Sequence, residues 1–301
     1  MEIDTRFPTR LNTVSDAPEP LRGALAEGLP SGEPVHLLVY APAFSTEDEI
    51  SPATVLAVTG NGWIIASETG DGGVTVEKSD FANTLFLELT SILLLGQLRI
   101  AFAGADASLS VTIKFETVGD DLYREAIDLI LAGIDPALHA VDEKDLGERA
   151  TFETWPMKFR NEAQRYRPGG QRLLAALQWP VIFNEIRQEL APSGALLITA
   201  REIVLISEQK KSSAEYAEQA SSKEDPEGPL AEEEAGGTIT FFPRVRLADF
   251  QVSHQEHLGV LALQVHAAHG GEKLEISFPS DAEKVVLKAM EQVLPSRGSV
   301  T

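Results

Sequence analysis

The chain contains one nineteen-residue pattern twice, at residues 50–68 and 190–208. Proline, threonine and a closing Ser-Glu pair fall at the same places in "ISPATVLAVTGNGWIIASE" and "LAPSGALLITAREIVLISE". A repeat of this kind restricts the fold, because each copy is expected to form the same supersecondary unit. How far the two copies extend therefore decides the architecture.

The likeness continues on both sides of this pattern, at offsets that increase along the chain. Residues 21–42 align with 159–180 at an offset of 138, and the nineteen-residue pattern aligns at 140. Further on the offset is 163, which places Gly96 on Gly259 and Phe115 on Phe278. Rising offsets indicate two colinear copies, with a short and then a long insertion in the second.

The repeat predicts a division of the 301 residues into two domains, a number that the chain length also favours. We predict an N-terminal arm at 1–20, a first domain at 21–140, a linker at 141–154, a second domain at 155–296 and a tail at 297–301. The two domains are called the first copy and the second copy below.

The long insertion falls at 209–237 and has an unusual composition. It holds eight acidic residues against three lysines, with almost nothing apolar. Such a segment cannot bury enough surface to offset the entropy lost on ordering. We therefore predict a disordered loop between two strands of the second copy.

Within each copy the hydrophobic period is that of β-strands. Residues 109–115 and 274–278 alternate strictly between apolar and polar side chains, as half-buried strands do. Two apolar runs flank Gly60-Asn61-Gly62, a sequence that favours a hairpin turn. Each copy is thus predicted to contain a short helix followed by about seven antiparallel strands.

The end of each copy changes to a helical period. In the first copy the apolar stripe comprises Leu122, Ala126, Leu129 and Ile130, and in the second Val285, Ala289, Val293 and Leu294. Ser280 and Glu283 have the spacing of a capping box, which predicts Ser280 as the cap of the second helix. One amphipathic helix is therefore expected to close each copy.

This order of elements resembles the pleckstrin-homology-like (PH-like) fold, over about residues 36–134 and 173–296. The resemblance implies a mainly β (α+β) chain of two tandem seven-stranded bent sandwiches or partial barrels, each closed by a C-terminal α-helix. The whole chain is similar to tandem PH-like proteins of bacterial type that have no assigned activity. An up-and-down barrel is the structural alternative, but it would lack the repeated terminal helix.

Charge and composition exclude several classes of function. A net charge of −21 disfavours nucleic-acid binding, which depends on Lys and Arg neutralising phosphates. The chain has no cysteine, so disulfides, thiolate metal sites and a cysteine nucleophile are absent from it. It shows neither a signal-peptide pattern nor an apolar run of membrane-spanning length, and a cytoplasmic location is expected.

No motif in the sequence indicates catalysis or a cofactor. His254 and His257, and likewise His266 and His269, have a spacing that metal sites use. The two pairs are predicted at hairpin turns on opposite ends of one strand, so they could not converge on one ion. We therefore expect no enzyme activity, no metal and no other cofactor.

Lipid-binding members of the PH-like fold hold phosphates with a basic loop between the first two strands. The matching loop of the first copy, 43–52, carries Glu47, Asp48 and Glu49 and no cation. Its counterpart, 183–192, has only Arg187 among acidic neighbours. Phosphoinositide binding by the usual route of that fold is therefore not expected.

The second copy nevertheless contains a dense group of cations, called the cationic segment here. The candidate residues for binding an anion or an acidic partner are Lys158, Arg160, Arg165, Arg167, Arg172 and Arg201. The alternative is a helix face that pairs with the acidic first copy across the domain interface. The sequence favours this second interpretation, because residues 1–140 hold 21 acidic and 7 basic side chains.

The leading functional prediction is a non-catalytic interaction or scaffold protein that presents paired PH-like modules to a protein partner. Binding of anionic lipid or a membrane surface through the cationic segment is the alternative, and the oligomeric state stays open. The apolar stretch 84–96 is expected to be core or inter-domain contact rather than an exposed edge.

Overall fold

The computed structural model describes residues 6–45, 50–105, 107–136, 152–165, 173–209, 236–255 and 257–294. The chain is mainly β, with several antiparallel sheets. This confirms the coarse fold class that the strand periods predict.

The first copy begins with helix α1 (Leu21–Gly28) and closes with helix α2 (Asp120–Ile134). Between and before them lie strands β1 (Thr9–Arg10), β2 (Val35–Ala41), β3 (Phe44–Ser45), β4 (Ile50–Ser51), β5 (Thr54–Thr59), β6 (Gly62–Glu68), β7 (Val74–Asp80), β8 (Thr84–Ile92), β9 (Leu95–Ala103) and β10 (Ser108–Glu116). Strands β1-β2-β5-β6-β7 form one sheet, in that order.

The second copy repeats this sequence of elements between helices α3 (Met157–Arg165) and α4 (Glu283–Val293). Its strands are β11 (Leu173–Trp179), β12 (Ile182–Phe183), β13 (Glu189–Ala191), β14 (Gly194–Thr199), β15 (Glu202–Gln209), β16 (Gly236–Pro243), β17 (Leu247–Gln255), β18 (Leu258–Ala267) and β19 (Gly270–Pro279). Strands β17-β18-β19 form a separate three-stranded sheet.

The element boundaries follow the sequence offsets closely. Strand β5 starts at Thr54 and β14 at Gly194, an offset of 140, while β8 starts at Thr84 and β17 at Leu247, an offset of 163. The predicted hairpin is also present, since β5 ends at Thr59 and β6 begins at Gly62. Thr59 stabilises the turn, because its Oγ1 accepts a hydrogen bond from the Gly62 N–H at 3.1 Å and donates one to Glu33 at 2.7 Å.

The two copies share a sheet. Seven strands are joined in the order β10-β9-β8-β16-β15-β14-β11, so that β8 of the first copy pairs with β16 of the second. The antiparallel register runs from Leu87 opposite Phe241 to Ser91 opposite Gly237. Most of the stretch 84–96 is thus core and inter-domain contact, as predicted, while Leu93, Leu94 and Leu95 at the β8–β9 turn are exposed.

The strands at the middle of this central sheet are buried on both faces. Leu87 and Phe241 point to one face, where they meet the five-stranded sheet and α2, while Phe86 and Phe242 point to the other, where the three-stranded sheet and α4 lie. Neighbouring residues of a strand face opposite sides, so strands buried on both sides carry continuous apolar runs. That requirement explains the sequence "TLFLEL" in β8.

Two predictions about helices are corrected by the structure. In α4 Val285 is 49% exposed, and the buried residues are Val286, Ala289, Met290 and Val293. Ser280 does not cap this helix with its side chain; it begins a 3-10 turn, Ser280–Ala282, and α4 follows with Ala282 at its N-cap. Ala289 and Val293 are buried as predicted and Leu294 is partly buried, so Val285 is the one residue of the predicted stripe that does not face the core.

The stripe predicted for α2 is confirmed at Ala126 and Ile130 and needs correction at its other two positions. The fully buried apolar residues of α2 are Tyr123, Ala126, Ile127, Ile130, Leu131 and Ile134, while Leu122 and Leu129 are only partly buried.

The ends of the predicted loop 209–237 are strand rather than loop. Gln209 pairs with Gly236 and Glu208 with Gly237, which extends the β15–β16 ladder to the last described residues on each side. Residues 210–235, the body of the predicted disordered loop, lie outside the described part of the chain, as do Glu47, Asp48 and Glu49.

The junction between the copies contains a buried hydroxyl pair that can be tested. Thr90 Oγ1 and Thr238 Oγ1 lie 2.9 Å apart, at 7% and 5% exposure. Replacing one threonine by valine leaves the other hydroxyl buried without this partner, which we expect to cost about 1–3 kcal/mol. The double variant should lose clearly less than the sum of the two single losses, because no orphaned hydroxyl remains.

Urea denaturation of the wild type, Thr90→Val, Thr238→Val and the double variant measures this coupling. Thr112→Val, at an exposed position of β10, is the matched control and should change stability by no more than about 0.5 kcal/mol. Strict additivity of the two junction variants would contradict the paired arrangement.

Candidate functional site

The cationic segment is divided between helix α3, the β14–β15 turn and residues outside the described ranges. Lys158, Arg160 and Arg165 lie on α3, and Arg201 lies in the turn that joins β14 to β15. Arg167 and Arg172 fall outside the described part of the chain. Four of the six candidates can therefore be placed.

Lys158 points to the base of the β15–β16 hairpin. Its Nζ donates a hydrogen bond to the carbonyl oxygen of Gly236 at 2.8 Å and pairs with Glu208 Oε1 at 3.3 Å. Glu208 also accepts a hydrogen bond from the Ser193 hydroxyl. The ammonium group thus ties α3 to the C-terminal end of β15 and to the first residue of β16, and its charge is directed inward.

Arg165 belongs to an ion-pair network between α3 and α2. Its guanidinium donates to Asp121 and lies 3.8 Å from Asp120 Oδ2. Arg124 of α2 completes the network, since its Nε donates to Asp120 Oδ2 at 2.5 Å and its Nη1 to Glu162 Oε2 at 3.2 Å. The first copy therefore supplies the carboxylates that face this end of α3.

Arg201 also faces an acidic residue of the first copy. Burial raises the pKa of the Asp128 carboxyl on α2, and the positive charges of Arg201, Arg124 and Arg165 act in the opposite direction. Two of the four described candidates, Lys158 and Arg165, thus form ion pairs with carboxylates, and Arg165 does so against the first copy. This arrangement is the one that the helix-face interpretation of the cationic segment predicts.

The α2–α3 network should stabilise the junction between the copies. The side chain of Arg124 is only 9% exposed, so Arg124→Ala would leave Asp120 and Glu162 without this charge in a poorly hydrated place. We expect a loss of about 3 kcal/mol in the free energy of unfolding, measured by urea denaturation.

Arg160→Ala is the matched control on α3. Within the described residues Arg160 has no ion pair, and it is half-buried, so the change should cost less than about 1 kcal/mol. Equal losses for Arg124→Ala and Arg160→Ala would contradict a specific role for the network.

The histidine pairs lie at two hairpin turns, as predicted. His254 is in β17 and His257 follows it in the turn before β18, whereas His266 is near the end of β18 and His269 precedes β19. The pairs are thus at opposite ends of a ten-residue strand. Among the residues that the structure describes, no group of three or more possible ligands could hold a metal ion.

The outer edge of β7 is a candidate site that the sequence reasoning missed. Strand β7 pairs only with β6 within the described residues and ends the five-stranded sheet. Thr75, Val76, Glu77 and Lys78 are all exposed along it. An edge strand of this kind offers unpaired backbone N–H and C=O groups to another chain.

A groove of about 410 Å³ lies at the C-terminal end of β7. It is lined by the β5–β6 turn and the ends of β7 and β9, including Thr59, Trp63, Lys78, Asp80, Asn83 and Phe102. Asn83 Oδ1 is buried there and accepts no hydrogen bond from the described residues. Glu33, also in the wall, is already bound to Thr59 and to the Asn61 N–H.

The sequence contained a signal for this edge. Residues 74–80, "VTVEKSD", place two valines among polar side chains after a glycine-rich turn, which is typical of a half-exposed strand. The same pattern does not tell whether the outer edge is paired, because pairing depends on where the second copy lies.

Comparison with protein-family models, curated proteins and solved structures finds no match to this chain. The PH-like arrangement of each copy therefore stays a prediction based on element order. None of the helices in the described ranges has the length and apolar character needed to cross a bilayer.

Proposed function

We propose that this protein is a non-catalytic interaction protein whose first copy binds an extended segment of a protein partner along β7. The observation that carries the proposal is the exposed edge of β7, which has no partner strand among the described residues and has a groove of mixed polar and apolar lining at its C-terminal end. A peptide that adds a strand gains affinity from backbone hydrogen bonds and specificity from pockets for alternate side chains.

The second copy supports this proposal, because its equivalent strand is already paired. Strand β16 corresponds to β7 at the offset of 163, and it carries β8 along its outer edge. A strand at this position of the repeat is therefore suited to antiparallel pairing. The first copy offers the same position without a partner among the described residues.

The finer fold assignment belongs to the same proposal. We infer that each copy is a PH-like sandwich, since each has seven main strands, split four and three, and a closing helix. In the second copy the four-stranded part is β11-β14-β15-β16 and the three-stranded part is β17-β18-β19. Fold alone assigns no function, so the proposal rests on the edge and its groove.

Photo-crosslinking tests the proposal directly. A photoreactive amino acid at Thr75, on the exposed part of β7, should give a discrete adduct with a protein in an extract of the source cells. The same amino acid at Leu109, an exposed position of β10, is the matched control and should give none.

Val76→Lys should abolish the Thr75 adduct, because an added lysine on an edge strand disfavours pairing. No adduct at Thr75 above the level at Leu109 would contradict the proposed function.

Binding of anionic lipid through the cationic segment is the other function to be tested. Lys158 and Arg165 are engaged with carboxylates, which leaves less positive charge for a membrane. We expect the wild type not to sediment with phosphatidylserine-containing vesicles at low or physiological salt. Salt-sensitive binding that Arg160→Glu and Arg165→Glu abolish would instead favour the membrane function.

A further inference from the structure

Two strands that end their sheets in the described part of the chain occupy the same positions of the repeat as two strands that pair with each other. Strand β8 pairs with β16 inside the chain. At the offset of 163 the counterpart of β8 is β17 and the counterpart of β16 is β7. Both β7 and β17 end their sheets. The chain therefore carries both halves of its own junction a second time, without partner strands among the residues that the structure describes.

The residues along these edges are compatible with the register of the existing junction. Shifting the β8–β16 pairs by 163 gives Lys78 with Phe250, Glu77 with Gln251, Val76 with Val252, Thr75 with Ser253 and Val74 with His254. The pair Val76–Val252 replaces Ile239–Leu89, and the hydroxyl pair Thr75–Ser253 replaces Thr238–Thr90. Such apolar and hydroxyl pairs are cross-strand combinations that stabilise a sheet.

Pairing of β7 with β17 has to join two molecules. The five-stranded sheet that ends in β7 packs on the face of the central sheet that carries Leu87 and Phe241. The sheet that begins with β17 packs on the opposite face, with Phe86 and Phe242. The two edges thus lie on different sides of the central sheet.

Helix α4 adds an independent observation, at the position that corresponds to Arg124 of α2. Arg124 is buried and contacts Glu162 of α3. Its counterpart on α4 is Leu287, which is 39% exposed. An apolar side chain is therefore exposed on α4 where α2 turns a buried arginine toward the second copy.

The counterpart of α3 is α1, at the offset of 138, and its residues complement α4. The buried pair Arg124–Glu162 becomes Leu287 and Ala24, so that a polar contact is replaced by an apolar one. The ion pair Asp121–Arg165 becomes Lys284 and Glu27, which reverses both charges and preserves the attraction. Glu27 and Lys284 are both exposed.

We propose that this protein binds a second copy of itself head to tail, with β17 of one molecule pairing antiparallel to β7 of the next. Helix α4 of the first molecule then lies against α1 of the second, through Leu287 with Ala24 and Lys284 with Glu27. The inference rests on the proposed function of the β7 edge and names its partner. Because the two surfaces differ, a dimer still has one uncovered β7–α1 surface and one uncovered β17–α4 surface. Further molecules can therefore add at both ends, and association is open-ended.

Sedimentation velocity of the purified full chain over a concentration series tests this proposal. The wild type should show a weight-average mass that increases with concentration beyond that of a dimer. Val76→Lys on the β7 side and Leu287→Glu on the α4 side should each weaken association by about tenfold or more. Leu109→Glu, at a 50% exposed leucine of β10, is the matched control and should associate like the wild type.

Mixing the two variants gives the most specific readout. A Val76→Lys molecule keeps an intact β17–α4 surface, and a Leu287→Glu molecule keeps an intact β7–α1 surface. An equimolar mixture should therefore form one-to-one dimers that do not grow further. Thermal melting of each variant alone verifies that it is folded.

The reversed ion pair provides a second, milder test. Lys284→Glu and Glu27→Lys should each weaken association several-fold, and the double variant should recover it, because opposite charges again face each other.

A monomer at every concentration, or association that neither Val76→Lys nor Leu287→Glu affects, would overturn the proposal. The outcome is separable from that of the proposed function. A Thr75 adduct with a different protein, together with a monomeric purified chain, would retain the β7 site and refute self-association. Absence of any adduct would contradict both.

Discussion

The antiparallel ladder between β8 and β16 is the interaction on which the rest of the structure depends. It converts three strands of the first copy and four of the second into one sheet whose middle strands are buried on both faces. Since Phe86 and Leu87 are neighbours on β8, this strand contributes to two cores at once. Loss of the ladder would expose a strand edge in each copy and the apolar surface behind it.

The ladder also has an electrostatic cost, at Glu88. This residue lies opposite Thr240 in the register, and burial raises the pKa of its carboxyl, while Arg99 at 3.8 Å acts in the opposite direction. A raised pKa in the folded state means that ionisation of Glu88 at neutral pH opposes folding. At the free edge of β17 the equivalent residue is Gln251, which would join a ladder without this cost.

The sequence predicted the elements of each copy better than their arrangement. Adding the offset of 163 to the first residue of β8 gives the first residue of β17. The β5–β6 turn lies at Gly60 and Asn61, where the glycines predict a hairpin turn. In α4 the sequence correctly predicted the burial of Ala289 and Val293 but not the exposure of Val285, and the 3-10 turn at the entry of the helix has no strong sequence signal. The partners of Arg165 could not be predicted, since they lie on α2, more than forty residues earlier in the chain.

The differences between the copies are most informative at the helices. In repeat proteins the terminal units usually present a polar outer face, because no neighbour covers it. Helix α4 departs from this rule, since the position of buried Arg124 in α2 is taken by Leu287, which is 39% exposed. On an uncovered helix face a leucine in place of arginine gives up solvation without gaining contacts. A neighbouring molecule that covers α4 removes this contradiction. Ala24, on α1 of that molecule, gives Leu287 an apolar contact, whereas the equivalent position of α3 is the polar Glu162.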